Sequence, residues 1–406
     1  MNFSTLNYKK IGLIILFVAV TVAIGYFIFS FFFKPQADTG TAPEPSSEQA
    51  GGGLPQAGTG SPATPTITPG GEFPGSGSSG GTGTATDDQA DQAPSIADQA
   101  AYPSTASGSL AFYNPNNSRF YTLNPDGTLK ALADKQFPGV KNVVWAPGDE
   151  KAILEYPDGS NIRYDFATGK QVTLPKHWED FDFSPDGNKL VAKSIGLDEN
   201  NRWLVISNDD GSQTQAIEPL GDNADTVISS WSPSNQVIAM YVEGVDFNTK
   251  KVFFVGQNGE NFKSTTIEGR GFEPLWTPTG DQLLYSIYSA DNDYKPNLWL
   301  VGAEGDSIGT NRRPLNLNTW ADKCTFGQSE LYCAVPRTLE RGAGLQASST
   351  SYSADLLYRI NTATGTKELV SSNSPYAMNK LSVSKDGQYL YFIEGGSNRL
   401  RKIKIR

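Results

Sequence analysis

Histidine and cysteine are almost absent from this 406-residue chain, and those absences exclude more than any motif asserts. One histidine, His177, serves the whole sequence. A Ser-His-Asp triad, a histidine-rich zinc site or a two-histidine relay would have to be built around that residue or not at all. Two cysteines, Cys324 and Cys333, are too few for a disulfide framework, though they suffice for one bridge in an oxidising compartment. Basic residues are also short: 33 Lys and Arg stand against 43 Asp and Glu, a net charge of −10. No basic excess is available to neutralise phosphates, which argues against nucleic acid as a partner. Between Lys34 and Arg119 the chain has no Lys or Arg at all.

What is present divides into four stretches: a short amino terminus (1–10), an apolar run (11–33), a low-complexity segment (34–107) and a repeat region (108–406). Ile11–Phe33 (IGLIILFVAVTVAIGYFIFSFFF) carries no charge. As a helix it spans roughly 35 Å, enough to cross a bilayer core with some tilt. It ends in FFFKPQ, without the small residues of a cleavage site, and so reads as an uncleaved anchor. Lys9 and Lys10 flank its start and Lys34 stands alone at its end, so the positive-inside rule keeps the amino terminus cytoplasmic and exports the rest. The segment that follows is Gly, Pro, Ser, Thr, Ala and Gln with scattered acids, a composition that predicts a disordered linker. Its Gly77-Ser78-Ser79-Gly80-Gly81 matches the letters of a nucleophile elbow, but the required strand before it and helix after it are missing from the pattern.

Beyond Gly108 the sequence repeats. An aromatic or apolar residue closes a short strand, a Pro or Gly turn follows, and an apolar strand comes next. The element reads WAPGDEKAILEY from Trp145, FSPDGNKLVAKS from Phe183, WSPSNQVIAMYV from Trp231 and WTPTGDQLLYSI from Trp276, then CTFGQSELYCAV from Cys324 and VSKDGQYLYFIE from Val383. A second glycine turn alternates with it, at Gly127, Gly169, Gly211, Gly259, Gly305 and Gly365. Two hairpins per unit make four antiparallel strands, A to D, and no amphipathic helix interrupts them. A closed array of such units is a β-propeller, an all-β fold. The first unit, from Leu110 to about Leu132, shows strands B, C and D without an obvious A. The last shows A, B and C. Seven B–C pairs favour seven blades, with six the alternative count, and a strand from just before Leu110 would complete the last blade and tie the ring.

The S-P-D-G hairpin at Ser184–Gly187 and its relatives after Trp231 and Trp276 resemble the TolB-type and WD-repeat-like propellers, over about 108–406. That resemblance implies a non-catalytic periplasmic or cell-surface role in protein contacts, in a bacterial envelope. Related propellers also precede prolyl-oligopeptidase-type hydrolase domains; none is expected here. The transmembrane anchor and linker stand in place of the TolB amino-terminal domain, so TolB's particular partners are not carried over.

Trp145, Phe183, Trp231 and Trp276 recur at one repeat position and are expected to pack between blades. B–C and D–A loops share one rim of a propeller. The B–C loops are lengthened at Ile195–Asn201, Glu243–Lys250, Ser289–Pro296 and Pro336–Ala354. The D–A loops of the same rim carry His177, Trp178, Glu179, Asp180, Arg270, Phe272, Glu273 and Trp320, the mix of aromatic and charged groups that recognition surfaces use. These eight are the candidate binding rim. No catalytic residue, metal site or cofactor is predicted. Asp291 and Asp293 lack the spacing of a calcium loop, and turn formation explains them. The expected partner is an envelope protein or a surface glycan such as peptidoglycan. The opposing reading is a carboxylate-based glycan hydrolase or lyase, in which Asp180, Glu273 and Asp322 would converge at the channel mouth.

Overall fold

Tight turns join the strands, and in four of the A–B hairpins a side chain of the turn itself builds the turn. The computed structural model describes residues 20–21, 93–104, 110–124, 126–327, 330–350 and 352–406. In the S-P-D-G hairpin, Ser184 Oγ donates to Asp186 at 2.6 Å and accepts the Lys189 N–H at 2.9 Å. Gly187 sits at φ +67°, left-handed backbone where a Cβ would be strained. Ser232, Thr277 and Ser384 accept the N–H five residues on in the same way. This local device turns strand A into strand B without help from the rest of the molecule.

The first strand, β1 (Ser95–Ala97), stands apart from its sequence neighbours. Blade 1 holds β2 (Ala111–Asn114), β3 (Arg119–Leu123) and β4 (Leu129–Ala131). Blade 2 follows with β5 (Asn142–Trp145), β6 (Lys151–Glu155), β7 (Asn161–Asp165) and β8 (Gln171–Leu174). Blade 3 is β9 (Trp178–Phe183), β10 (Lys189–Ile195), β11 (Arg202–Asn208) and β12 (Gln215–Pro219). Blade 4 is β13 (Val227–Ser229), β14 (Val237–Gly244), β15 (Thr249–Gly256) and β16 (Thr265–Glu268). Blade 5 is β17 (Arg270–Trp276), β18 (Gln282–Tyr288), β19 (Asn297–Gly302) and β20 (Arg313–Pro314). Blade 6 is β21 (Cys324–Phe326), β22 (Leu331–Pro336), β23 (Asp355–Ile360) and β24 (Lys367–Ser371). Blade 7 contains β25 (Met378–Val383), β26 (Tyr389–Glu394) and β27 (Leu400–Lys404), and its fourth, outer strand is β1, paired antiparallel to β27.

The count is therefore seven, and the ring is tied by a strand from ahead of the first blade. The inner position of blade 1, where the repeat shows no strand, is occupied by residues 101–104: Ala101 and Tyr113 exchange both backbone hydrogen bonds, and the Ser104 N–H donates to the Ala111 carbonyl. The propeller thus includes residues 93–104, inside the stretch that composition assigns to the linker, with Ala93 and Ala100 buried. Apart from 20 and 21, the apolar run at 11–33 lies outside the described residues, as do 34–92. Among the described residues no helix is long and apolar enough to cross a membrane.

Among the described residues the core is not single. Seven hydrophobic clusters occupy the seven spaces between adjacent blades, from Phe120 with Leu154 between blades 1 and 2 to Phe112 with Leu400 between blades 7 and 1. Each blade buries both faces only because it has two neighbours, so the last interface stabilises all the others. The recurring aromatics sit here. Phe183 and Trp231 are buried, Trp145 and Trp276 pack partly buried against their clusters, and Trp276 Nε1 donates to Ser230 Oγ at 3.0 Å. Cys324 and Cys333 lie directly opposite each other on β21 and β22 and form a disulfide.

Candidate functional site

The rim formed by the B–C and D–A loops is shaped by a bulge that three inner strands share. Register slips by one residue in β9, β17 and β25, and each slip contains a residue in left-handed backbone: Asp180 at φ +55°, Gly271 at φ +65° and Lys380 at φ +50°. A bulge bends its strand and re-aims the side chains that follow. Phe181, Phe272 and Leu381 come next in each strand and turn toward the interior clusters. Asp182, Glu273 and Ser382 come after them and are therefore equivalent positions. The alignment of E-D-F-D (179–182) with R-G-F-E (270–273) is legible in the sequence once the bulge is known.

Both carboxyls at that position are pushed up to about 7. For Asp182 the cause is burial, with the Asp180 charge adding to it and the Trp231 and Phe183 N–H donors opposing it. For Glu273 the cause is burial and then the nearby Asp322 charge, opposed by a hydrogen bond from Ser286 and by Lys380. Asp182 accepts the Trp231 N–H at 2.7 Å; Ser286 Oγ donates to Glu273 at 3.2 Å and accepts the Ala321 N–H at 3.1 Å. Asp322 and Lys380 line a cavity of about 390 Å³ with Trp276, Thr325 and Leu381.

Of the three acids expected at the channel mouth, Asp322 lies close enough to Glu273 for its charge to raise the Glu273 carboxyl. Asp180 is tied up elsewhere: it pairs with Lys193 at 3.1 Å and accepts the Ser229 N–H at 2.9 Å. The candidate rim residues separate by depth. His177 and Glu179 are exposed, and the His177 carbonyl accepts the Ile195 N–H at 2.7 Å. Arg270, Phe272 and Glu273 are half-buried. Phe272 packs its ring 5.5 Å from that of Tyr285. Trp178 and Trp320 are 5% and 3% exposed and cannot face a partner. Trp178 begins β9 with its side chain in the cluster between blades 2 and 3, because alternation along the strand puts it inward; Trp320 is covered by the blade 6 loop, whose Gln346 carbonyl accepts its Nε1–H at 3.2 Å.

That loop, between β22 and β23, drapes over the rim. Its Gly342 and Gly344 N–H groups donate to the Asp293 and Tyr294 carbonyls of blade 5, each at 2.8 Å, and its Ser348 hydroxyl donates to Asp322. Asp291 and Asp293 belong to a turn, and among the described residues no group of acids could hold a metal ion. The Arg270 guanidinium lies 4.7 Å from the Phe247 ring and 6.0 Å from the Tyr288 ring, joining the blade 4 and blade 5 loops in a cation–π stack.

Exposed apolar groups gather on this rim. Among the described residues from 93 on, large hydrophobic side chains are exposed at seven positions. Five of them, Leu197, Val245, Phe247, Leu345 and Tyr352, are on B–C loops. The remaining two, Leu129 and Leu369, lie on outer strands. Sequence patterning marks the lengthened loops but not these side chains, whose residue types in a loop carry no signal of exposure.

Seven four-stranded positions closed by a terminal strand define the protein as a seven-bladed β-propeller. No protein-family model matches the chain, and no curated protein matches it. Among solved structures it is similar to the tricorn protease, with 12% identity and a TM-score of 0.50 over 77% of this chain and 34% of that one. It is similar to oligogalacturonate lyase from Vibrio parahaemolyticus (11% identity, TM-score 0.48, 76% and 90% covered). A third is the β-propeller domain of Myceliophteria thermophila Cps50 (Swd1), at 10% identity and TM-score 0.47 with 77% and 97% covered. The chain spans about a third of the tricorn protease's length. At these identities the likeness establishes the fold alone.

Proposed function

We propose that the protein is a non-enzymatic recognition module, held to a membrane by residues 11–33 and presenting its B–C and D–A rim to a protein of the cell envelope. The reading rests on one observation: five exposed large hydrophobic groups on the loops of a single rim. Solvent-exposed Phe, Tyr and Leu rimmed by charged groups mark interaction sites when they cluster. The Arg270–Phe247–Tyr288 stack supplies the Arg and aromatic groups on which binding energy concentrates. The TolB-type resemblance of the hairpins and the extracytoplasmic side given by Lys9 and Lys10 agree with an envelope partner. The disulfide between Cys324 and Cys333 suits an oxidising compartment.

The test is affinity capture by the detergent-solubilised full chain from envelope extract of its own host, beside a variant carrying Phe247→Ala, Leu345→Ala and Tyr352→Ala. A protein held by the wild type and lost by the variant, with circular dichroism unchanged, supports the reading. Equal capture by both refutes it.

A carboxylate-based glycan hydrolase or lyase is the second reading, favoured by the elevated Glu273 beside Asp322. Turnover of envelope glycans that disappears in Glu273→Gln would replace the binding reading with this one.

A further inference from the structure

Blades 6 and 7 meet over an ion pair with almost no access to water. Lys323, in the turn ahead of β21, and Asp355, the first residue of β23, have side chains 1% and 0% exposed, and Lys323 Nζ lies 2.9 Å from Asp355 Oδ2. Lys323 Nζ also lies 3.3 Å from the amide oxygen of Asn379 on β25. The Met378 N–H donates to the same Asp355 oxygen, while Asp355 Oδ1 is buried without a hydrogen-bond partner. As a permanent ion pair this arrangement is poor: desolvating both charges costs more than their attraction returns unless every lone pair is satisfied. As a reacting set it holds an amine within 3.3 Å of the oxygen of a carboxamide electrophile and a carboxyl against that same amine.

We propose that Lys323 and Asn379 are joined by an intramolecular isopeptide bond, formed with Asp355 as the proton-transferring catalytic residue. Proton transfer from the ammonium to Asp355 leaves a neutral amine and a neutral acid, the form that a water-free site favours. The Nζ lone pair attacks Asn379 Cγ while Asp355 hydrogen-bonds the developing oxyanion. Collapse of the tetrahedral carbon breaks the bond from Cγ to the amide nitrogen. That nitrogen takes up, through Asp355, the proton released by the attacking amine. One C–N bond forms, one breaks and ammonia leaves, with no oxidant or reductant. Burial pushes the Asp355 carboxyl upward against the pull of the Lys323 charge, which agrees with the role. Holding the groups side by side removes the entropic barrier to an otherwise slow amide exchange. The product staples blade 6 to blade 7, which also carries the ring-closing strand β1.

The experiment is intact-mass measurement of the purified full chain after reduction of its disulfide, followed by protease mapping. The wild type is expected to be lighter than its sequence by one ammonia and to yield a branched peptide containing both Lys323 and Asn379. Lys323→Arg and Asp355→Asn are each expected to regain the full mass and to give the two peptides separately. A folded wild type whose peptides at Lys323 and Asn379 are unlinked overturns the proposal. So does an ammonia deficit that persists in Lys323→Arg. The wild-type map decides the question even where a variant does not fold.

Discussion

The Asp180 carboxylate accepts the backbone N–H of Ser229 at 2.9 Å, so a side chain on the inner strand of blade 3 takes up a main-chain donor on the inner strand of blade 4. Two residues on, Asp182 does the same for Trp231 at 2.7 Å. Side-chain stitches of this kind replace the backbone pairing that two separate sheets cannot make. They convert acids that look like chemistry in the sequence into structure.

The stitch makes stability depend on pH. Asp182 is pushed up to about 7 in the folded protein, chiefly by burial, and returns to the ordinary carboxylate range on unfolding. A carboxyl raised in the folded state binds its proton more tightly there. Its contribution is fully present below about 4 and is lost as pH rises through about 7. Thermal stability should therefore be higher at pH 5 than at pH 8, and Asp182→Asn should lessen the difference, with Glu273, also pushed up to about 7, contributing the remainder in the same direction. Discounted for the solvent that still reaches the group, the effect is on the order of 1–2 kcal/mol. Melting curves of both proteins across that range check it.

Ring closure by β1 should be measurable as stability. Removing residues 93–99 strips blade 7 of its outer strand, including the Arg401 bond to the Ala93 carbonyl at 2.7 Å, and bares the edge of β27. A loss of about 3 kcal/mol is expected from the hydrogen bonds and buried side chains together. An unchanged melting temperature would show that the ring does not depend on this strand.

Aromatic residues on the rim should sort by depth. Trp178→Ala empties a buried site between blades 2 and 3 and is expected to cost about 3–5 kcal/mol of stability. Phe247→Ala removes an exposed ring and should change stability by about 1 kcal/mol or less, even though the Arg270 guanidinium then has no Phe247 ring to stack on. Chemical denaturation of the two variants separates them, and comparable losses in both would mean that Phe247 is a packing residue.

The disulfide closes a loop of sequence separation 9 on the innermost hairpin of blade 6. Chain-entropy arithmetic gives about 2–3 kcal/mol for so short a loop. Cys324→Ser with Cys333→Ser should lower the unfolding midpoint by that amount while leaving the far-ultraviolet circular dichroism of the fold in place.

Much of the fold is legible in the sequence because its determinants are local. A Ser or Thr accepting the N–H five residues on, with a glycine (Asn235 in the Ser232 turn) in left-handed backbone between, makes the A–B hairpin wherever it occurs, and the spacing of those hairpins marks out the blades. Ser184, Ser232, Thr277 and Ser384 announce four of them directly. The lengthened rim loops are legible for the same reason, as intervals between hairpins. Individual rim residues are not. Trp178 and Trp320 have the composition of a binding surface and are buried, while Phe247, Leu345 and Tyr352 have the composition of a core and are exposed.

The sequence alone determined the repeat, its strands and its turns, since each depends on interactions within a few residues. Tertiary structure decided what depends on the meeting of distant ones. It brought 93–104 back to blades 7 and 1, set Asp182 and Glu273 at equivalent bulges, and buried Lys323 against Asp355 and Asn379. Burial and charge pairing follow from which surfaces the closed ring presses together, and no window of the chain contains that information.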